Sequence, residues 1–108
     1  MFKIDKMDFG YKLTFEGFIK DDEMKQWVAE SKQCLADAPR EFGVFVDMRT
    51  LKPLHEDSQK HMQEGQKLYK EAGMVRSVVI LDSLVTKMQF KLIAKETGIY
   101  EWERYLDA

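Results

Sequence analysis

The chain of 108 residues contains one cysteine and two prolines. No apolar run approaches the ~20 residues needed to cross a bilayer, so a membrane-embedded protein is not expected. Cys34 alone excludes an internal disulfide framework and suits a reducing compartment, which points to a cytoplasmic location. The six glycines are dispersed and form no Gly-rich phosphate loop. Neither sign of charge dominates: 17 basic against 19 acidic side chains leave a formal net charge of -2, with the cations scattered among acids. That balance offers no bulk attraction to phosphate backbones or anionic lipid, and it argues against a nucleic-acid partner. The segment MFKIDKMDFG is charged every few residues and is not expected to act as a signal peptide. A hydrophobic fraction of 44% fits one domain, residues 1–108, with its own core.

Two apolar runs each end in an aspartate. Gly43-Val44-Phe45-Val46-Asp47-Met48-Arg49 precedes one helical stretch, and Val78-Val79-Ile80-Leu81-Asp82-Ser83 precedes another. Runs without alternation predict strands buried on both faces, as in parallel sheets flanked by helices. The segment between them makes a βαβ crossover, which should be right-handed. Earlier in the chain Phe2 and Ile4, then Tyr11, Leu13 and Phe15, alternate with polar residues around Phe9-Gly10. This is a β-hairpin signal, and one wet face places it towards a sheet edge. The expected class is α/β: a mixed sheet of about five strands, with an N-terminal hairpin and βα units whose helices pack on the sheet.

Asp21 or Asp22 is expected to cap a first helix whose stripe is Met24, Trp27, Val28, Cys34 and Leu35. Within that stripe Cys34 reads as a small buried hydrophobe rather than a reactive thiol. A second helix, 56–72, carries Ser58, Met62, Gly65, Tyr69 and Ala72 along one side. Gly65 costs ~1 kcal/mol relative to Ala in a helix, and close approach to the sheet is the expected compensation. A third helix, capped by Asp82 or Ser83, should bury Leu84, Val85, Met88, Leu92 and Ile93, with Phe45 and Val79 buried in the strands. Gly73 and Gly98 are placed to end the second and third helices. The tail from Ile99 to Leu106 reads as a last strand. Its Tyr100, Trp102 and Tyr105 either cover the core edge or form an interaction surface.

Chemistry-bearing constellations are sparse. Asp47 and Asp82 should lie at the carboxyl ends of neighbouring strands, where open α/β sheets place ligands. Capping and loop organisation are the favoured roles for them, ahead of cation binding or phosphorylation. His55 and His61 are six apart, which does not align two ligands on one helix face, and no cysteine is near; no metal site is expected. No serine sits in a nucleophile elbow. The expected reading is non-enzymatic, with no cofactor.

The order of elements, with Gly43 to Leu51 and with Glu71-Ala72-Gly73-Met74-Val75-Arg76-Ser77-Val78, resembles the STAS fold of sulfate transporters and anti-sigma-factor antagonists. The first segment is similar to that family's apolar strand closing in Asp-Leu-x-x-Val or Asp-Leu-x-x-Leu, and the second to its helix-end glycine leading into a strand. The chain resembles in particular a bacterial subgroup of stand-alone STAS-like proteins of unassigned function. The resemblance implies a regulatory module in which a serine opening the helix after the Asp-ended strand is phosphorylated by a partner kinase. In Leu54-His55-Glu56-Asp57-Ser58-Gln59 only Ser58 can be that phosphoacceptor, and the family's second serine and glycine are absent. The same architecture is similar to CRAL-TRIO-type lipid-binding domains.

The expected function is therefore a protein-interaction module, docking a partner through the loop and helix after Asp47. The candidate surface comprises Asp47, Arg49, Leu51, Pro53, Leu54, Glu56, Asp57, Asp82 and Ser83. Leu51 and Leu54 flank a stiff Pro53, and Glu56-Asp57 supply the negative charge a phosphoserine would bring. The alternative is a small apolar or anionic ligand, lipids included, held at the carboxyl ends of the strands. An enzyme using the two aspartates is the weakest option, and a homodimer stays open.

Overall fold

The computed structural model describes residues 1–100 and 103–107. Its elements are β1 (Phe2–Met7), β2 (Gly10–Phe15), α1 (Asp21–Leu35), β3 (Phe42–Met48), α2 (Glu56–Ala72), β4 (Met74–Leu81), α3 (Leu84–Thr97) and β5 (Glu103–Asp107). They form the expected α/β architecture of five strands and three helices. The strands lie in the order β1-β2-β3-β4-β5, antiparallel in the first pair and parallel in the rest. The hairpin turn is Asp8-Phe9, and Gly10 opens β2 at φ 145°. A Cβ there would stand 2.1 Å from the Gly43 carbonyl oxygen, so this position excludes side chains on two grounds.

One expectation is corrected at the level of layers. The apolar strands are not buried on both faces. In β3, Phe42, Val44, Val46 and Met48 are buried, while Gly43, Phe45 and Asp47 between them are only half-buried. Trp27 of α1, Met62 and Tyr69 of α2, and Phe90 of α3 all line the same interior space as Leu13, Val46 and Val79. The three helices thus share one side of the sheet, with α2 packed between α1 and α3. The reason is topological: β2 to β5 advance in one direction, so crossovers of one hand stack every helix on the same face. Phe45 lies on the open face and is not a core residue, whereas Val79 is.

Helix faces follow expectation in α1 and α2 and fail in α3. Met24, Trp27, Val28 and Ser31 of α1 are buried, with Cys34 and Leu35 partly so. No side chain caps α1, whose N-cap is Lys20; Asp21 and Asp22 lie inside its first turn, where acids complement the dipole. In α2, Ser58, Met62, Gly65, Gln66 and Tyr69 are buried. Gly65 faces Trp27 of α1 rather than the sheet: a Cβ would lie 2.0 Å from the indole ring. In α3 the buried side is Thr86, Phe90, Ile93, Ala94 and Thr97. Leu84, Val85, Met88 and Leu92, expected inside, are exposed. Ser83, not Asp82, caps this helix by accepting from the Thr86 amide.

Candidate functional site

At the carboxyl ends of β3 and β4 the two aspartates behave differently. The Asp47 carboxylate accepts from the Arg49 amide at 3.2 Å, from Nε at 3.1 Å and from Nη2 at 2.8 Å. The Arg49 guanidinium therefore holds its pKa below the usual carboxylate value. A carboxylate occupied by a cation two residues away organises the turn after β3. Asp82 is exposed beyond β4. Among the described residues no group of three or more His, Cys, Asp or Glu is placed to hold a metal ion. His61 Nε2 lies 2.8 Å from Asp21 Oδ1 and ties α2 to α1, while the His55 ring meets Phe18 edge-on.

The segment after β3 is strapped down, which corrects several members of the expected docking surface. Leu51 and Leu54 are core residues, 3% and 5% exposed, so they cannot flank Pro53 as surface contacts. Gln89 of α3 clamps Leu54 at two points, accepting from its amide at 2.9 Å and donating to its carbonyl at 3.1 Å. Gln59 donates to the same carbonyl at 3.0 Å. A loop backbone at the edge of the core must have its polar groups satisfied, and α3 supplies the partners. Ser58 is 1% exposed, with its hydroxyl oxygen buried and without a hydrogen-bond partner. A kinase has no access to it in this structure. The exposed remainder is Arg49, Pro53, Glu56, Asp57 and Asp82, with the capping Ser83 half-buried.

Beside this end of the molecule stands the feature that sequence periodicity misassigned. Leu84, Val85, Met88 and Leu92 are 72%, 58%, 60% and 62% exposed. Their spacing of i, i+1, i+4 and i+8 places them on one face of α3, opposite the buried Phe90, Ile93 and Ala94. Lys87, Lys91 and Lys95 follow one another at i, i+4 and i+8 along one flank of that stripe. The Lys91 ammonium lies 5.6 Å from the Tyr105 ring centroid and that of Lys95 4.8 Å from Tyr100. On the other flank Gln89 is engaged by Leu54, and Glu96 by the Gln63 amide. The signal was present in the sequence, since α3 is apolar on two sides.

Of the two roles foreseen for the aromatic tail, covering the core edge is seen at Tyr105. Tyr105 packs partly against the core, Tyr100 is exposed, and Trp102 lies outside the described residues. Glu103, at the start of β5, was not anticipated. Its carboxyl is buried, accepting from Ser77 at 2.7 Å and from the Tyr105 hydroxyl. Desolvation pushes its pKa above the ordinary carboxyl value, against the pull of those two donors.

The folded state holds the Glu103 proton more tightly than the unfolded chain, so this residue's contribution is full below the ordinary carboxyl pKa. It is lost as pH rises through the raised value. Asp47, with its pKa lowered, contributes in the opposite sense, losing stability as pH falls. Glu103→Gln should therefore raise the melting temperature at neutral pH, and the gap from the parent should close on acidification. Thermal melts of both proteins across that range check it; a gap that is constant with pH would show Glu103 ionising in the fold as readily as in the unfolded chain.

Two spaces bear on ligand binding, one enclosed and one open. Between helices and sheet, Gln66, Tyr69, Ser77 and Glu103 join apolar side chains around a cavity of about 30 Å³, on the scale of a single water. On the open face of the sheet a groove runs between the hairpin turn and the amino-terminal ends of β3 and β4. Met7, Phe9, Gly43, Phe45, Val75 and Val78 line it together with Lys12, Glu41 and Arg76. This is the opposite end of the strands from Asp47 and Asp82. No family model matches the chain, and no curated protein matches it. Among the described residues no helix is long and apolar enough to cross a membrane.

Proposed function

We propose that this protein is a non-enzymatic, STAS-like interaction module that docks a protein partner. The docking surface is the end of the molecule carrying Arg49, Pro53, Glu56, Asp57 and Asp82, extended along the exposed side of α3. One observation carries this reading: four large apolar side chains on a single helix face stand more than half exposed. Contiguous exposed apolar surface beside polar residues marks interaction sites, whereas single exposed hydrophobes need no explanation. The pairing of Asp47 with Arg49 supports a turn-organising aspartate over a catalytic one. The buried Ser58 supports a partner that reads the surface constitutively, without phosphate.

A photo-crosslinking residue placed at Met88 or at Glu56 in the native host should capture the same protein, and one placed at Lys25 on α1 should not. Ser58→Ala should leave that capture unchanged, and Glu56→Lys with Asp57→Lys should weaken it. Loss of capture in Ser58→Ala would restore a phosphorylation switch and require α2 to open at its first turn.

The groove on the open sheet face supports a second reading, a small apolar or anionic ligand. Parallel sheets seldom leave a face uncovered, and here Phe45 and Val78 line the groove together with the cations Lys12 and Arg76 and the carboxylate Glu41. The interior cavity, at about 30 Å³, is too small for a lipid tail, so this reading moves its ligand from the carboxyl ends of the strands, where the sequence placed it, to the groove at their amino-terminal ends.

A further inference from the structure

The α3 stripe has one charged flank, and that asymmetry bears on what covers it. We propose that it docks an amphipathic helix of a partner protein whose apolar face is bordered by acidic side chains; this rests on the interaction-module reading. Leu84, Met88 and Leu92 form a row of knobs at helical spacing, suited to a facing helix laid along α3. Lys91 and Lys95 run beside that row and make no ion pair among the described residues; each ammonium has an aromatic ring beneath it. Cations steadied over rings, next to a desolvating apolar seam, are positioned to meet carboxylates on the facing helix.

The geometry disfavours two other occupants. If a second copy packed α3 against α3 antiparallel, like flanks would meet, setting the lysine row against itself. Packed parallel, the row of three lysines would meet the neutral Gln89 and a single carboxylate, Glu96, which offers most of the cations no counter-charge from the second copy. An anionic lipid surface selects helices with cations on both borders of the apolar face. Here the second border carries Gln89 and Glu96.

Two stapled helical peptides test the proposal against the intact protein by fluorescence anisotropy: one with a leucine stripe bordered by glutamates, and its lysine counterpart. The staple removes the ordering cost that isolated short helices pay. The glutamate peptide should bind at least about tenfold more tightly, and raising salt should narrow the difference. Lys91→Glu with Lys95→Glu should reverse the preference, and Met88→Asp with Leu92→Asp should abolish binding of both peptides. All four positions lie outside the buried core, and circular dichroism melts should confirm that the variants fold. Equal binding of the two peptides, lost in Met88→Asp with Leu92→Asp, would overturn the acidic partner while leaving the docking surface standing. No binding of either peptide, with cross-linking at Met88 also negative, would overturn both. Sedimentation with phosphatidylserine vesicles, or concentration-dependent dimerisation, that is abolished by Leu92→Asp would assign the stripe to lipid or to a second copy and overturn the proposal.

Discussion

Gly65→Ala is expected to lower stability by about 3 kcal/mol, although alanine is the better helix former by about 1 kcal/mol. The added methyl would stand 2.0 Å and 2.1 Å from two atoms of the Trp27 ring. That ring cannot yield, being 1% exposed, stacked on Tyr69 at 5.9 Å and met edge-on by Phe15 at 5.2 Å. Relief requires α1 and α2 to separate, and Tyr69 is also bonded across that interface to Ser31 at 2.8 Å. For a domain of this size the loss corresponds to a fall in melting temperature of roughly 10–20 °C. Trp27→Phe in the Gly65→Ala background should recover part of the loss, a non-additivity that reports the contact itself. An unchanged or higher melting temperature in Gly65→Ala alone would mean that the helices do not approach as closely as described.

The second large effect separates close neighbours on α3. Phe90→Ala should cost ~3–5 kcal/mol, because Phe90 is 1% exposed and fills the space between helix and sheet. Leu92→Ala and Met88→Ala should each change stability by no more than about 0.5 kcal/mol, since both side chains stand in solvent. Periodicity alone would have ranked Leu92 with the core. Chemical denaturation of the three variants decides which face of the helix is core. A loss at Leu92 equal to that at Phe90 would turn α3 by about half a revolution and remove the exposed stripe on which docking rests.

Much of the architecture was legible from local signals. The hairpin followed from alternation in residues 2–15, the central strands from the valine-rich runs, and the helix ends from Gly73 and Gly98. The candidate site was far less legible. Leu51 and Leu54 flank a proline in a connecting segment, a pattern that suits a stiff exposed loop. Burial became decidable only once Gln89, distant in sequence, closed on Leu54 from α3. Ser58 was placed on the correct side of α2, yet nothing in its neighbours showed that this side would be sealed. Glu103 looked like one of several charges in a polar, aromatic tail. Its burial arises because β5 enters the sheet beside β4, with Ser77 facing it.

By itself the sequence determined the kinds of elements, their order and the burial of α1 and α2, because each of those helices has a single apolar side. Only the tertiary structure decided which side of α3 is core. That helix is apolar on two sides, so periodicity is degenerate, and the packing of Phe90, Ile93 and Ala94 beneath it breaks the tie. Only the tertiary structure, too, left one face of the sheet open. Strands that advance in one direction through crossovers of a single hand must carry all their helices on the same side, and no local pattern in Val44-Phe45-Val46 records that choice.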